Sequence, residues 1–398
     1  MAFLISLEQE LSLEYASLLN QEEDFWALKS QVDWQLFGDR NTTFYHTKTI
    51  IKRKHNRIRR IMNQSREWVE DKVQVMDIIL SGYKELCQTQ HLTSISTVDL
   101  EIEWAVALSE EDSCKLSVIP LNTEILKAFS SLKPYKAPRV DGLHASFFQH
   151  FWHILGSSVI DEILTIFATK RIPPYLNHTL VTLIPKRNGP EVLGHFRPIS
   201  LCTTIYKIVS KIIVNRIRPH VQHLVSPLQA TFIPGRKGLD NMIIAQEILH
   251  YMEKKKGRVG TMALKIDLEK TFDRLEWSFI REVLVHFNFP SNLIAIIMDC
   301  ISSTFVSVLF NGGKLPTFSP SRSIRQGDLI SPYIFIMCHE YLGLLIHDKT
   351  ANNSWKPIKA SRSGPNFSHL FFADDLMLFG QASLKNSETI DEVLTTFC

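Results

Sequence analysis

The chain predicts an α+β fold, an antiparallel sheet with helices packed on one face, preceded by a helical and basic N-terminal region. Three observations predict it. From about residue 178 short β-branched runs alternate with longer stretches of helical spacing. Before that point the apolar pattern is helical almost throughout, and an acid-free run of cations follows the first helix. The 398 residues amount to two or three domain-sized units. We divide them into 1–65, a helix and a basic segment; 66–115, a helical and polar linker; and 116–398, the main body with its core over 178–398.

Taken in order, Leu4, Leu7, Leu11, Leu18 and Leu19 fall mostly at helical spacing, continued by Phe25, Trp26 and Trp34. Gly38-Asp39-Arg40-Asn41 marks a turn. Residues 71–87 and 121–132 read as amphipathic helices, the second begun by Asn122 as N-cap. The stretch 88–115 is polar and rich in Ser and Thr, and 145–170 is dense in aromatic and aliphatic residues at helical spacing. Strands are expected at 180–184, 262–267 and 304–310, the last leading into a turn at Asn311-Gly312-Gly313. Helices are expected at 204–218, 278–287, 291–301 and 331–347. Two apolar runs, 369–373 and 376–379, flank a pair of aspartates.

Composition narrows the function classes. With 45% hydrophobic and 21% charged residues the chain is neither disordered nor low in complexity. Its six cysteines lie far apart with no C-x-x-C pair, which fits a reducing, intracellular compartment and offers no zinc-ligand spacing. The start, MAFLISLEQE, lacks the basic region of a signal peptide. The most apolar stretch, 329–346, contains Pro332, His339 and Glu340 and reads as a buried core helix, so no membrane partner is expected. Charge is unevenly spread. Residues 1–36 hold seven acids against one base, and 48–60 then carry Lys48, Lys52, Arg53, Lys54, Arg57, Arg59 and Arg60 with no acid among them. Coming just after Phe44 and Tyr45, these cations suit a nucleic-acid backbone and its bases, although a solvated helix face has the same composition.

The aspartate pair carries the chemistry. In Phe371-Phe372-Ala373-Asp374-Asp375-Leu376-Met377 two neighbouring acids sit in a run apolar enough to be buried. Burying two adjacent carboxylates is costly unless a divalent cation neutralises them. Adjacent side chains of one strand point to opposite faces, so both acids reach one site only from a tight hairpin turn. A third acid, Asp267, ends an apolar strand 107 residues before Asp374. Three carboxylates from two strands could hold two Mg²⁺ ions roughly 3.5–4 Å apart, the arrangement used for in-line phosphoryl transfer. A solvated turn and a helix cap are the plain alternatives. Between the two acidic segments lies Arg325-Gln326-Gly327-Asp328, where Gly327 allows close backbone approach and Gln326 can hydrogen-bond a base or sugar.

The segments K-I-D-L-E-K-T-F-D-R (265–274), R-Q-G-D-L-I-S-P-Y (325–333) and F-A-D-D (372–375), in this order, resemble motifs A, B and C of reverse transcriptases. The resemblance is to the LINE-type, non-LTR retrotransposon class found in plants. It extends upstream through F-G-D-R-N-T-T-F-Y-H (37–46), K-A-P-R-V-D-G (136–142), L-I-P-K (183–186), F-R-P-I-S-L (196–201) and F-I-P-G-R (232–236). It implies a right-hand polymerase with fingers and palm that copies an RNA template into DNA by adding dNTPs to a DNA primer.

By that resemblance Asp267, Asp374 and Asp375 are the catalytic, metal-binding acids for two Mg²⁺ or Mn²⁺ ions. Leu268 offers its carbonyl to the nucleotide-bound ion. Phe272 blocks a ribose 2′-OH, and Gln326 and Gly327 shape the pocket of the incoming base pair. Lys186 and Arg197 meet the triphosphate, and the basic run over 48–60 contacts template RNA. The chain departs from the family's K-A-P-G-P-D-G at Arg139 and Val140, and carries Leu329-Ile330 where motif B usually has Pro-Leu. It stops at Cys398, in the helix after the aspartate pair, so a truncated fingers and palm with the thumb absent is expected. Two other readings use the same residues: a catalytically inactive remnant that only binds RNA, and a metal-dependent nuclease.

Overall fold

The computed structural model describes residues 2–30, 42–89, 104, 106–134, 136, 140–256, 259–359 and 364–397. The turn expected at 38–41, most of the polar stretch 88–115, and Arg139 lie outside them.

Helix α1 (Ala2–Ser30) packs on α2 (Thr42–Asn56), with the Trp26 ring edge-on to His46 at 4.5 Å. Its expected apolar face stays open: Leu4, Leu7, Leu11 and Leu18 are all exposed. After α2 comes a short hairpin of β1 (Ile61–Met62) and β2 (Trp68–Val69), then α3 (Lys72–Leu86), capped by the Asp71 carboxylate on the Gln74 amide. Although α3 falls in the expected linker, it is structural, because Val75, Ile79 and Tyr83 are buried against a sheet.

That sheet is the first of two with three or more strands among the described residues, where the sequence reading expected one. Strands β3 (His178–Pro185) and β4 (Phe196–Leu201) are antiparallel, while β3 also pairs in parallel with β6 (Phe305–Phe310), which turns into β7 (Gly313–Lys314). The parallel pair was not legible because its partners lie more than a hundred residues apart. The helical elements before it are α4 (Glu110–Ser117), α5 (Asn122–Ser130), α6 (Ala145–His150) and α7 (Trp152–Thr169). Asn122 is the first helical residue of α5 and not its cap; Leu121 holds the cap position without a side-chain bond.

The second sheet carries the acids. Its order is β10 (His369–Phe372), β11 (Asp375–Gln381) and β5 (Thr261–Asp267), antiparallel throughout. One face lies on the main core, built from α8 (Thr204–Leu224), α11 (Trp277–His286), α12 (Ser291–Ser302), α13 (Ser331–Ala351) and α14 (Leu384–Phe397). Helix α8 continues through Pro219 past its expected end because Val221 and Leu224 are buried in that core. Helix α13 is apolar nearly all round and buried nearly all round, as its sequence predicts. No helix among the described residues is long and apolar enough to cross a membrane. Helices were expected on one face only, yet α9 (Gly238–Lys254) packs on the other, where Ala245 and Ile248 cover Phe379, with Ala263 and Met377 beside them. The remaining elements are the one-turn α10 (Thr271–Arg274) and a small hairpin of β8 (Ile358–Lys359) and β9 (Asn366–Phe367).

Candidate active site

Register brings the acids together. Asp375 is the direct partner of Asp267, followed along the same face by Met377 opposite Lys265 and Phe379 opposite Ala263. Directly opposed residues of an antiparallel pair share a face. Helix α9 covers that face over Phe379, and its first residue, Gly238, meets the ring of Phe372, the partner of Asp375, where a Cβ would overlap it.

Asp374 stands in the two-residue turn between β10 and β11, as the hairpin argument requires, because Phe372 pairs with Asp375. Ala373 bends the turn with φ +54°, a left-handed conformation that costs a non-glycine residue about 1–2 kcal/mol. The Leu268 amide donates to the Asp374 carbonyl at 3.2 Å, which ties the turn to the end of β5. The expectation of burial fails here. Asp267 and Asp374 are exposed and Asp375 is half-buried, so water meets their solvation need.

The donor set suits a hard cation, being carboxylate oxygens from two paired strand ends. Among the described residues, however, no three acidic, His or Cys side chains stand close enough together to hold a metal ion. Instead the Lys265 ammonium lies 3.2 Å from an Asp375 oxygen. The carboxylates would therefore have to turn inward and release Lys265 to share an ion.

Downstream of Asp267 the chain curls through Lys270, itself left-handed at φ +57°, into α10. Phe272 is half-buried and stacks on Phe335 with ring centroids 4.8 Å apart, so it belongs to the edge of the core. Burial pushes the neighbouring Asp273 carboxyl up to about 6, against the pull of Lys270, Lys186 and Arg274. The segment bearing Gln326 is bound to this region: the Ile324 amide donates to the Phe272 carbonyl and the Ser323 amide to the Leu275 carbonyl, both at 2.8 Å.

Gln326 and Gly327 form a loop against β4, where the Ser200 amide donates to the Gln326 carbonyl at 2.7 Å. Gly327 has φ +101°, and a Cβ on it would stand 3.2 Å from the Ser200 carbonyl oxygen, so glycine is required. The Gln326 Oε1 is buried without a hydrogen-bond partner among the described residues.

Sequence reasoning missed what holds this loop. Arg325 is buried, donating to Asn177 Oδ1 (2.7 Å), Thr179 Oγ1 (3.0 Å) and the Cys300 carbonyl (2.8 Å), with its guanidinium 4.0 Å over the Tyr206 ring. Asp328, also buried, pairs with Arg325 at 3.2 Å and accepts from the Tyr206 hydroxyl and from Ser210 Oγ. The signal was present as opposite charges three residues apart in an otherwise apolar surrounding.

Lys186 and Arg197 are exposed on the β3–β4 hairpin, Lys186 just past the end of β3 and Arg197 opposite Ile184. A cleft of about 700 Å³ opens between the tip of that hairpin, α3 and the Glu269–Arg274 curl, with Lys270, Arg274 and Arg322 among its walls. A larger cavity, about 1070 Å³, is elsewhere, at the end of the acid-bearing sheet marked by Thr261 and Gln381.

All seven cations of the basic run are exposed, Lys48 to Lys54 on α2 and Arg57, Arg59 and Arg60 beyond it. The run is anchored to the first sheet: Asn311 bonds both the amide and the carbonyl of Ile58, at 2.9 and 2.7 Å, and His55 reaches Asn188 at 3.3 Å. Arg60 stacks over Trp68 at 4.3 Å.

Comparison with known proteins agrees with this geometry. Residues 184–397, more than half of the chain, match the family model described as reverse transcriptase (RNA-dependent DNA polymerase). A Xenopus laevis protein, the transposon TX1 uncharacterized 149 kDa protein, is 26% identical over 76% of this chain and 23% of its own length. The retrovirus-related Pol polyprotein from the type-2 retrotransposable element R2DM of Drosophila melanogaster is 23% identical over 56% of this chain and 20% of its own. The corresponding polyprotein from the type-1 element R2 of Nasonia vitripennis is 28% identical over 54% and 20%. The chain thus spans about a fifth to a quarter of the length of these relatives. With the acids, the glycine loop and the hairpin in one α+β frame, the chain belongs to the reverse transcriptase (RNA-dependent DNA polymerase) family, in its LINE-type, non-LTR retrotransposon branch.

Proposed function

We propose that this chain carries the fingers and palm of an RNA-directed DNA polymerase, adding deoxynucleotides to a primer 3′-OH along an RNA template. The observation that carries the reading is the register of Asp267 opposite Asp375, with Asp374 in the adjoining turn. Asp267, Asp374 and Asp375 would hold two Mg²⁺ ions, or Mn²⁺, which when bound lower the pKa of the attacking hydroxyl and neutralise the leaving phosphates.

The chain's own part is positioning and charge. Lys186 and Arg197 meet the triphosphate from the hairpin, Arg197 through its bidentate fork. Phe272, fixed by its stack on Phe335, bars a 2′-hydroxyl, and the Leu268 carbonyl would help hold the nucleotide-bound ion. Gln326 and Gly327 line the base pair. The basic run Lys48, Lys52, Arg53, Lys54, Arg57, Arg59 and Arg60 tracks the template phosphates.

A second reading, a catalytically silent RNA-binding chain, is favoured by one observation, the Lys265 ammonium lying on Asp375. Primer extension on poly(rA)/oligo(dT) with Mg²⁺ or Mn²⁺ separates the two. The wild-type chain extends the primer, and Asp374→Asn loses at least about a thousandfold of that rate while RNA binding persists. Extension retained by the variant would overturn the assignment of the acids, and RNA binding without extension by the wild type would establish the silent reading. Replacing Arg57, Arg59 and Arg60 together with Gln lowers the slope of log affinity against log salt by about two for single-stranded RNA. An unchanged slope rejects the template contact.

A further inference from the structure

Beneath the aspartate turn lies a polar side chain that the mechanism above does not use. Gln229 is 1% exposed and belongs to the loop between α8 and α9. Its segment runs beside β10 as a parallel bridge to Phe371: the Phe371 amide donates to the Leu228 carbonyl at 3.0 Å and the Ala230 amide to the Phe371 carbonyl at 3.3 Å. Asn241, buried on α9, clamps the two chains together, its Nδ2 donating to the Leu228 carbonyl (2.8 Å) and the Phe371 carbonyl (3.0 Å).

Held this way, Gln229 turns its acceptor to the turn. Its Oε1 accepts from the amide of Ala373 at 3.4 Å and from that of Thr231 at 3.1 Å. Ala373 is the left-handed residue that bends the hairpin, and its N–H falls outside the β10–β11 pairing, which ends at Phe372 and Asp375. The Gln229 Nε2, meanwhile, is buried with no partner among the described residues. A leucine would fill the space without that unmade Nε2 donor, but would take the acceptor from the Ala373 and Thr231 amides. What an amide adds there is its oxygen, and that oxygen meets the backbone of the residue preceding both acids.

We infer that Gln229 is a positioning residue: by accepting the Ala373 N–H it holds the turn in the left-handed conformation that presents Asp374 and Asp375 to Asp267. The inference rests on the polymerase reading of the three acids. It acts on their placement and not on the reacting atoms, much as an outer partner orients a ligand.

Hydrogen–deuterium exchange of the full chain tests it, read on peptides covering the turn at 371–377 and strand β5 at 261–266. Gln229→Met removes the acceptor at similar bulk. The turn peptide then exchanges about fivefold faster while the β5 peptide is unchanged. Bound Mn²⁺, followed by electron paramagnetic resonance, is held about tenfold more weakly. Gln229→Glu keeps an acceptor oxygen and restores the wild-type exchange of the turn. Unchanged exchange in Gln229→Met, exchange in Gln229→Glu as fast as in Gln229→Met, or faster exchange throughout the chain would each overturn the positioning role. Asp375→Asn keeps the two readings apart: Mn²⁺ affinity unaltered by that change sinks the assignment of the acids, while the exchange data still decide the hydrogen bond.

Discussion

The aspartate hairpin and the Gln326-Gly327 loop are held in opposite ways. The acids are placed chiefly by backbone: strand register sets Asp267 against Asp375, one buried amide, Gln229, reaches the turn between the strands, and Asp267 and Asp374 stay exposed. The loop is placed by side chains, with Arg325 and Asp328 buried and bonded on nearly every side. The exposed carboxylates are left solvated. The glycine loop is locked by desolvated charge, which is costly to form and costlier to break.

The comparison breaks most visibly at Arg325. Arg325→Met leaves Asp328 buried without its partner and lowers unfolding stability by about 3–5 kcal/mol, measured by denaturant titration. Asp267→Asn, at the exposed site, leaves the same titration within about 0.5 kcal/mol of wild type. Equal losses from the two variants would erase the distinction.

Phe272 lies between the two regimes, half in the core and half in the site. Phe272→Val raises the relative use of ribonucleotides about tenfold or more, read from single-nucleotide extension with rNTP against dNTP. It also costs about 1–3 kcal/mol of stability through the lost stack on Phe335. A stability loss with no change in sugar selectivity would assign it to the core alone.

The smallest effect is expected at Lys265. Its pair with Asp375 is 3.2 Å long, with the two side chains 68% and 44% exposed, so screening leaves it worth at most about 1 kcal/mol. Lys265→Met therefore tightens Mn²⁺ binding by less than about fivefold, measured by calorimetry. Weaker binding would mean that the lysine supports the site and does not compete for it.

Much was legible before any coordinates. The alternation of apolar residues and the flanking turn chemistry located β5, β11 and α13, and the resemblance of three short segments singled out the acids, the phenylalanine and the glycine loop as candidates. Less legible was whatever depended on distant pairing. Strand β4 was not foreseen because Pro198 interrupts it, and its pairing with β3 is what makes it a strand. Helix α3, read within a linker, is structural because the first sheet offers Val75, Ile79 and Tyr83 a surface. The expected burial of Asp374 and Asp375 was wrong because the turn that carries them is solvated, with Asp374 and the neighbouring Phe372 exposed.

By itself the sequence determined which residue types stand at each strand end, and so the chemistry available there. A carboxylate, a left-handed turn or a glycine is a local property of the chain. Tertiary structure decided which of these meet. Register between segments more than a hundred residues apart sets Asp267 against Asp375, and burial turns Arg325 and Asp328 from an ordinary charged pair into the lock of a loop. Contact across such distances is chosen by the packing of whole helices and sheets, whose free energy no short stretch of residues contains.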